Sequence, residues 1–100
     1  MLHHIVMWTL KDEAEGEKKS ANLAKAADML KACADIVPGI LRFEVGTAQP
    51  GMEATCDLLL CSAFADRTAL AAYQNHPDHV AIKPFMKAVV ESRQCFDYEA

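Results

Sequence analysis

The stretch from Leu2 to Leu10 constrains the fold more than any other. Taken as a strand, it puts Leu2, His4, Val6, Trp8 and Leu10 on one side and His3, Ile5, Met7 and Thr9 on the other. Both sides are largely apolar. A strand wetted on one face alternates apolar with polar residues, so this one is expected in the middle of a sheet, covered above and below. Residues Cys56 to Phe64 repeat the pattern, with Leu58, Leu60 and Phe64 on one parity and Leu59, Cys61 and Ala63 on the other. Two such strands require cover on both faces of one sheet.

Helices supply part of that cover. From Asp12 to Ala34, Leu23, Ala26, Ala27, Leu30, Cys33 and Ala34 recur at three- and four-residue steps, continuing to Val37, while Lys25, Asp28 and Lys31 fall opposite. This predicts an amphipathic helix ended by Pro38-Gly39, since proline disfavours helical geometry just before it. Ile40 to Gly46 reads as an edge strand with Leu41, Phe43 and Val45 on one face and Arg42 and Glu44 on the other. A polar loop with Pro50 and Gly51 follows. Asp66 is placed to cap a helix over residues 67 to 74, and Pro77 suits the first turn of the next. That last helix takes Val80, Phe85, Met86, Val89 and Val90 as its buried side, with an irregularity at Pro84. Gln94 to Tyr98 closes the chain as a fourth strand.

This order is that of the ferredoxin-like split βαβ, an α+β fold with a four-stranded antiparallel sheet. Its crossovers pack on one side of the sheet. The economical cover for the other side is a second copy of the same sheet, which predicts a homodimer through the face carrying His3, Ile5, Met7, Leu59 and Cys61 and hence a dimeric α/β barrel.

At 100 residues, 52% of them hydrophobic and 24% charged, the chain fits one domain over residues 1–100 with a real core. The formal charge is −4, and among ten Lys and Arg only Lys18 and Lys19 are adjacent, so nucleic acid is not an expected partner. No apolar run reaches bilayer length, and residues 1 to 10 show no cleavage-site pattern, so neither a membrane role nor targeting is expected. Cys33, Cys56, Cys61 and Cys95 form no CxxC pair and sit in predicted helix or strand. They read as reduced thiols, which points to the cytoplasm.

Several segments together resemble the stress-responsive A/B barrel, or Dabb, domain. They are His-His-Ile-Val-Met-Trp-Thr-Leu-Lys-Asp at 3 to 12, Val-Pro-Gly-Ile at 37 to 40, Phe43-Glu44-Val45-Gly46, Tyr-Gln-Asn-His-Pro-Asp-His-Val at 73 to 80, and Phe96-Asp97-Tyr98. The resemblance spans essentially the whole chain, and Tyr-x-x-His-Pro-x-His is its most specific element. It implies a homodimer whose four-stranded sheets pack together. Many such domains are named only for stress-linked expression, while a plant relative is a cofactor-free polyketide cyclase that closes a ring by an aldol-type step. The cyclase implies a pocket between sheet and helices, with His4, Tyr73 and His79 at its reacting positions; the volume left for a ligand depends on how Trp8, Leu58, Leu60, Tyr73 and Phe85 pack, the first three of these and Phe85 being the expected binding residues. Leu58 replaces a further pocket histidine of the cyclase, which puts that enzyme's own substrate in doubt here.

The residues carry their own chemical logic. Imidazole titrates near cellular pH, so His79 can take and return a proton. The Tyr73 phenol can donate to a developing enolate oxygen, and His4 can orient base or substrate, a set suited to proton abstraction beside a carbonyl. A structural reading stands beside it: Tyr73 as a core aromatic, His79 bonded to a backbone carbonyl, His76 as a helix cap, His3 in the dimer interface. A metal site from His4, His76, His79 and Asp78 is disfavoured, because Pro77 separates two of the histidines and no HExxH glutamate is present. With no glycine-rich phosphate loop either, no cofactor is expected. Three functions remain open: small-molecule binding without turnover, a cofactor-free cyclase or lyase with His79 as general acid and base, and a small barrel monooxygenase, since fold alone does not separate them.

Overall fold

The structure, a computed structural model, describes residues 1–100. In chain order it contains β1 (Leu2–Leu10), β2 (Glu13–Ala14), β3 (Glu17–Lys18), α1 (Lys19–Lys31), β4 (Ile40–Thr47), β5 (Leu58–Phe64), α2 (Arg67–Asn75), α3 (Pro77–Val80), α4 (Lys83–Val89) and β6 (Val90–Glu99). The four long strands form one sheet in the order β4-β5-β1-β6, with every neighbouring pair antiparallel. This is the ferredoxin-like α+β architecture, and within one chain the sheet is open, with β4 and β6 as its edges.

The two-sided strand lies where its pattern requires, between β5 and β6. Leu2, His4, Val6, Trp8 and Leu10 are buried against the helices. Leu30, Phe64, Tyr73 and Val89 pack into the same core, each 1% exposed or less. The opposite parity, His3, Ile5 and Met7, registers with Ala63, Cys61 and Leu59 on β5 and with Tyr98, Phe96 and Gln94 on β6. No helix covers that face: Phe96 is 67% and Tyr98 45% exposed, and the His3 and Tyr98 rings stack with centroids 4.6 Å apart. Only 19 of 100 residues are buried in a chain that is 52% hydrophobic, so much apolar area stays uncovered.

Local structure departs from the sequence pattern at several places: α1 ends at Lys31, well before Pro38-Gly39, β5 begins at Leu58 rather than Cys56, and four further differences have local causes. The helix expected from Asp12 begins at Lys19, because the preceding residues turn back as the β2–β3 hairpin. Glu15 and Gly16 hold φ of 54° and 74° at its tip, a left-handed pair that no right-handed helix admits. Asn22, 2% exposed, anchors the hairpin by donating from Nδ2 to the Ala14 carbonyl at 2.9 Å. On β4 the register slips between Ile40 and Arg42, so Ile40 rather than Leu41 faces inward with Phe43 and Val45, and Leu41 is 57% exposed. The last helix is split: the chain breaks at Ala81 and Ile82, Ile82 takes the inward position, and Val80 is exposed. Pro84 then sits in the first turn of α4, where its missing N–H breaks no helical bond. Finally β6 starts at Val90, because β1 pairs with it along its whole length, from Leu2 opposite Glu99 to Leu10 opposite Val90.

Gly39, at φ +89°, lets the chain pass from the α1 side into β4. A Cβ there would lie 2.9 Å from the Ala69 Cβ of α2, so any side chain would be both strained and crowded.

Candidate functional site

Between the helix-covered face of the sheet and the α2–α4 segment lies a cavity of about 330 Å³, at the small end of the roughly 300–1,000 Å³ usual for ligand pockets. The sheet contributes His4, Val6, Trp8 and Leu60 from its middle strands and Arg93 from β6. The helical side contributes Leu30, then Tyr73 and Gln74 from α2, His79 from α3, and Ile82, Lys83 and Met86 around α4. His4, Tyr73 and His79, singled out in the sequence, therefore meet at one space, together with Trp8 and Leu60.

Leu58 and Phe85 do not line it. Leu58, opposite Trp8 on the β1–β5 ladder, borders a separate space with Met7, Gly46 and Leu59, and Trp8 is the wall residue at that level. Phe85 follows the break at Ile82, which resets the helical phase: Ile82 and Met86, four apart, turn to the cavity. The Phe85 ring instead carries the Lys25 ammonium 4.4 Å from its centroid, on the side toward α1.

His4 is 3% exposed and its Nδ1 lies 2.5 Å from Asp97 Oδ1 on β6, a pairing set by the register that places the two residues opposite each other. A carboxylate can only accept, so Nδ1 carries the proton and, in the neutral ring, Nε2 keeps its lone pair. The strand beneath is fixed too, since Ser62 Oγ donates to the His4 carbonyl at 2.6 Å. Asp97 went unnoticed as a site residue in the sequence. The signal for it was the Phe96-Asp97-Tyr98 ending, which gains chemical meaning only once the β1–β6 register is known.

Tyr73 is fully buried, and its hydroxyl is the one buried side-chain polar atom without a hydrogen-bond partner. Burial, reinforced by nearby Cys33, pushes the phenol well above its ordinary value, so it stays protonated and available as a donor. The His79 ring lies 4.6 Å from the Tyr73 ring, centroid to centroid. Its Nδ1 is 3.1 Å from the Gln74 carbonyl, which can only accept, so here too Nε2 holds the lone pair. Burial lowers the His79 pKa. The Gln74 bond opposes this, while Lys83, His4 and Arg93 add to the lowering. Asp78 is not among the causes; it sits beside His76, whose Nδ1 accepts from the Asp78 amide at 3.0 Å and caps α3.

His76 thus stays out of the cavity, and the four-residue metal grouping weighed from the sequence does not form. His4, Cys95 and Asp97 do offer potential ligand atoms within 4.8 Å of one another. Desolvation and the Asp97 carboxylate hold the Cys95 thiol protonated by raising its pKa, and the Nδ1–Asp97 hydrogen bond uses the same atoms, so the cluster is built as a hydrogen-bonded pair with a thiol beside it.

Fold and cavity together define a class: a ferredoxin-like α+β domain with a small-molecule-sized space between sheet and helices. The chain belongs to the stress responsive A/B barrel domain family, Dabb, whose profile matches residues 2–100. A solved structure from Bacteroides fragilis, described as a dimeric protein of unknown function with a ferredoxin-like fold, is 31% identical, with a TM-score of 0.81 over 99% of this chain and 95% of its own. A Dabb family protein with a ferredoxin-like fold from Mesorhizobium loti is 27% identical, with a TM-score of 0.70 and the same coverage of 99% and 95%. A putative antibiotic biosynthesis monooxygenase from Nitrosomonas europaea superposes with a TM-score of 0.78 over 100% of this chain and 98% of its own, but at 19% identity it shares the fold alone. No curated protein matches the chain.

Proposed function

We propose that this chain, a single Dabb domain, works as a homodimer that binds a small ketone in the sheet–helix cavity and moves a proton on the carbon next to its carbonyl. The observation that carries this reading is the pairing of His4 with Asp97, which leaves Nε2 as the free ring nitrogen of a residue lining the cavity that Tyr73, with its unpartnered hydroxyl, also lines. Nε2 takes the proton, the C–H bond breaks, and its electron pair forms the C=C bond of an enolate whose oxygen accepts from the Tyr73 O–H. The enolate then regains a proton from His4, or attacks a second carbonyl as in an aldol-type closure. His79, kept neutral by burial, is a second acceptor beside the tyrosine rather than the main base. Dimer formation follows from the uncovered apolar sheet face, and the Bacteroides relative is described as dimeric.

Exchange of α-hydrogens for deuterium, followed by proton NMR on a panel of aryl ketones that includes β-benzoylpropionate and its methyl ester, tests the reaction. Exchange above the buffer rate is expected, falling by roughly 10²-fold in His4→Ala, with a partial loss in Asp97→Asn. Exchange at the buffer rate across the panel, or wild-type rates in both variants, overturns the proposal.

A further inference from the structure

The lining of the cavity is charged in one sense only. Lys83 and Arg93 border it, and no Asp or Glu does, although the chain as a whole carries −4. Neither cation is in an ion pair, while Lys19, Arg42 and Arg67 each have a carboxylate partner. They approach from opposite walls: Arg93 stands on β6, opposite Trp8 in register, and Lys83 opens α4. Both act on the half-buried His79 ring, whose proton affinity they lower, so their fields reach that wall of the cavity. Tyr73, whose hydroxyl is buried and unpartnered, lines the same space. An apolar cavity with two cations at its rim that have no carboxylate partner, and an orphaned donor on a residue of its wall, has the polarity of a site for an amphiphilic organic anion.

We propose that Lys83 and Arg93 form a carboxylate subsite, so that the substrate is a small keto acid, its carboxylate at the rim and its ketone oxygen at Tyr73. This rests on the acid–base reading above for the ketone but not for the carboxylate. Arg93 offers a planar fork to the two oxygens and Lys83 a point charge, and the two hold the anion while leaving its apolar body against Trp8 and Leu60.

Calorimetric titration of the purified protein with β-benzoylpropionate and with its neutral methyl ester separates the two ideas. The acid is expected to bind about tenfold more tightly than the ester, and added salt to weaken the acid alone. Lys83→Gln and Arg93→Gln should each reduce acid affinity roughly threefold, and the double variant should abolish the preference. Acid binding no tighter than that of the ester, absent acid binding, or a preference that survives the double variant overturns the carboxylate subsite, even if deuterium exchange proceeds. A preference lost in the double variant supports it, even if exchange fails and the acid–base reading falls.

Discussion

Replacing Tyr73 by Phe should stabilise the protein and impair it at once. The ring is fully buried and packs 4.6 Å from His79, 5.2 Å from Phe64 and 5.8 Å from Phe43, centroid to centroid, and all of that survives the change. What disappears is a hydroxyl with no partner. Burying such a group unpaired costs about 1–3 kcal/mol by protein mutational data, so Tyr73→Phe should recover about 1 kcal/mol or more. In a domain of this size that raises Tm by roughly 4–8 °C per kcal/mol. Thermal unfolding must be compared at matched protein concentration, because the proposed dimer would make Tm concentration-dependent. The same variant should lose ketone α-deuterium exchange, since the enolate oxygen loses its donor. A fall in Tm would mean that the hydroxyl is satisfied within the fold and is not held for a ligand. A wild-type exchange rate would remove Tyr73 from the chemistry.

Ile5→Glu puts an unpaired carboxylate on the uncovered sheet face and should cost the dimer about 3 kcal/mol, leaving monomer in sedimentation velocity; a wild-type monomer, or a folded mutant that still dimerises, refutes the interface. His79 has a pKa lowered below its ordinary 6.5, so as pH falls through that value the unfolded chain takes up its proton first. Stability should therefore decline below about pH 6.5 and level off once the folded His79 is protonated, and His79→Gln should flatten that slope in urea titrations repeated across pH. An unchanged slope in the variant would contradict the burial argument.

The sheet was legible because period-two patterning survives in short segments and both central strands carry it on two faces. The boundaries that differed share a cause, a local device whose signal is a single residue. Gly16 permits the hairpin tip that displaces the start of α1, and one extra residue at Leu41 makes the β4 bulge that turns Ile40 inward. The break at Ile82 lay two residues before the proline that signals it, since proline is accommodated in the first turn of a helix and so marks the start of α4 rather than a kink within it.

The site was legible in composition but not in roles. Tyr73 and His79 lie six residues apart in a recognisable element, and His4 announces itself as a polar residue on a buried parity, so the three could be grouped before any geometry was known. The histidine proposed as base is the one with an orienting carboxylate, and that partner is 93 residues away along the chain. The β1–β6 ladder brings Asp97 opposite His4, Cys95 opposite Val6 and Arg93 opposite Trp8, so one strand delivers a carboxylate, a thiol and a cation to the same face of the sheet in successive steps of two. A one-residue slip of that register would send all three to the uncovered face and take Asp97 away from His4. The chemistry of the cavity is therefore written in the pairing of the first strand with the last. The His4–Asp97 pairing belongs to the register that runs unbroken from Leu2 opposite Glu99 to Thr9 opposite Ser92, and the irregularity before Leu10 and Val90 lies beyond it, so the stretch that carries the site keeps one register.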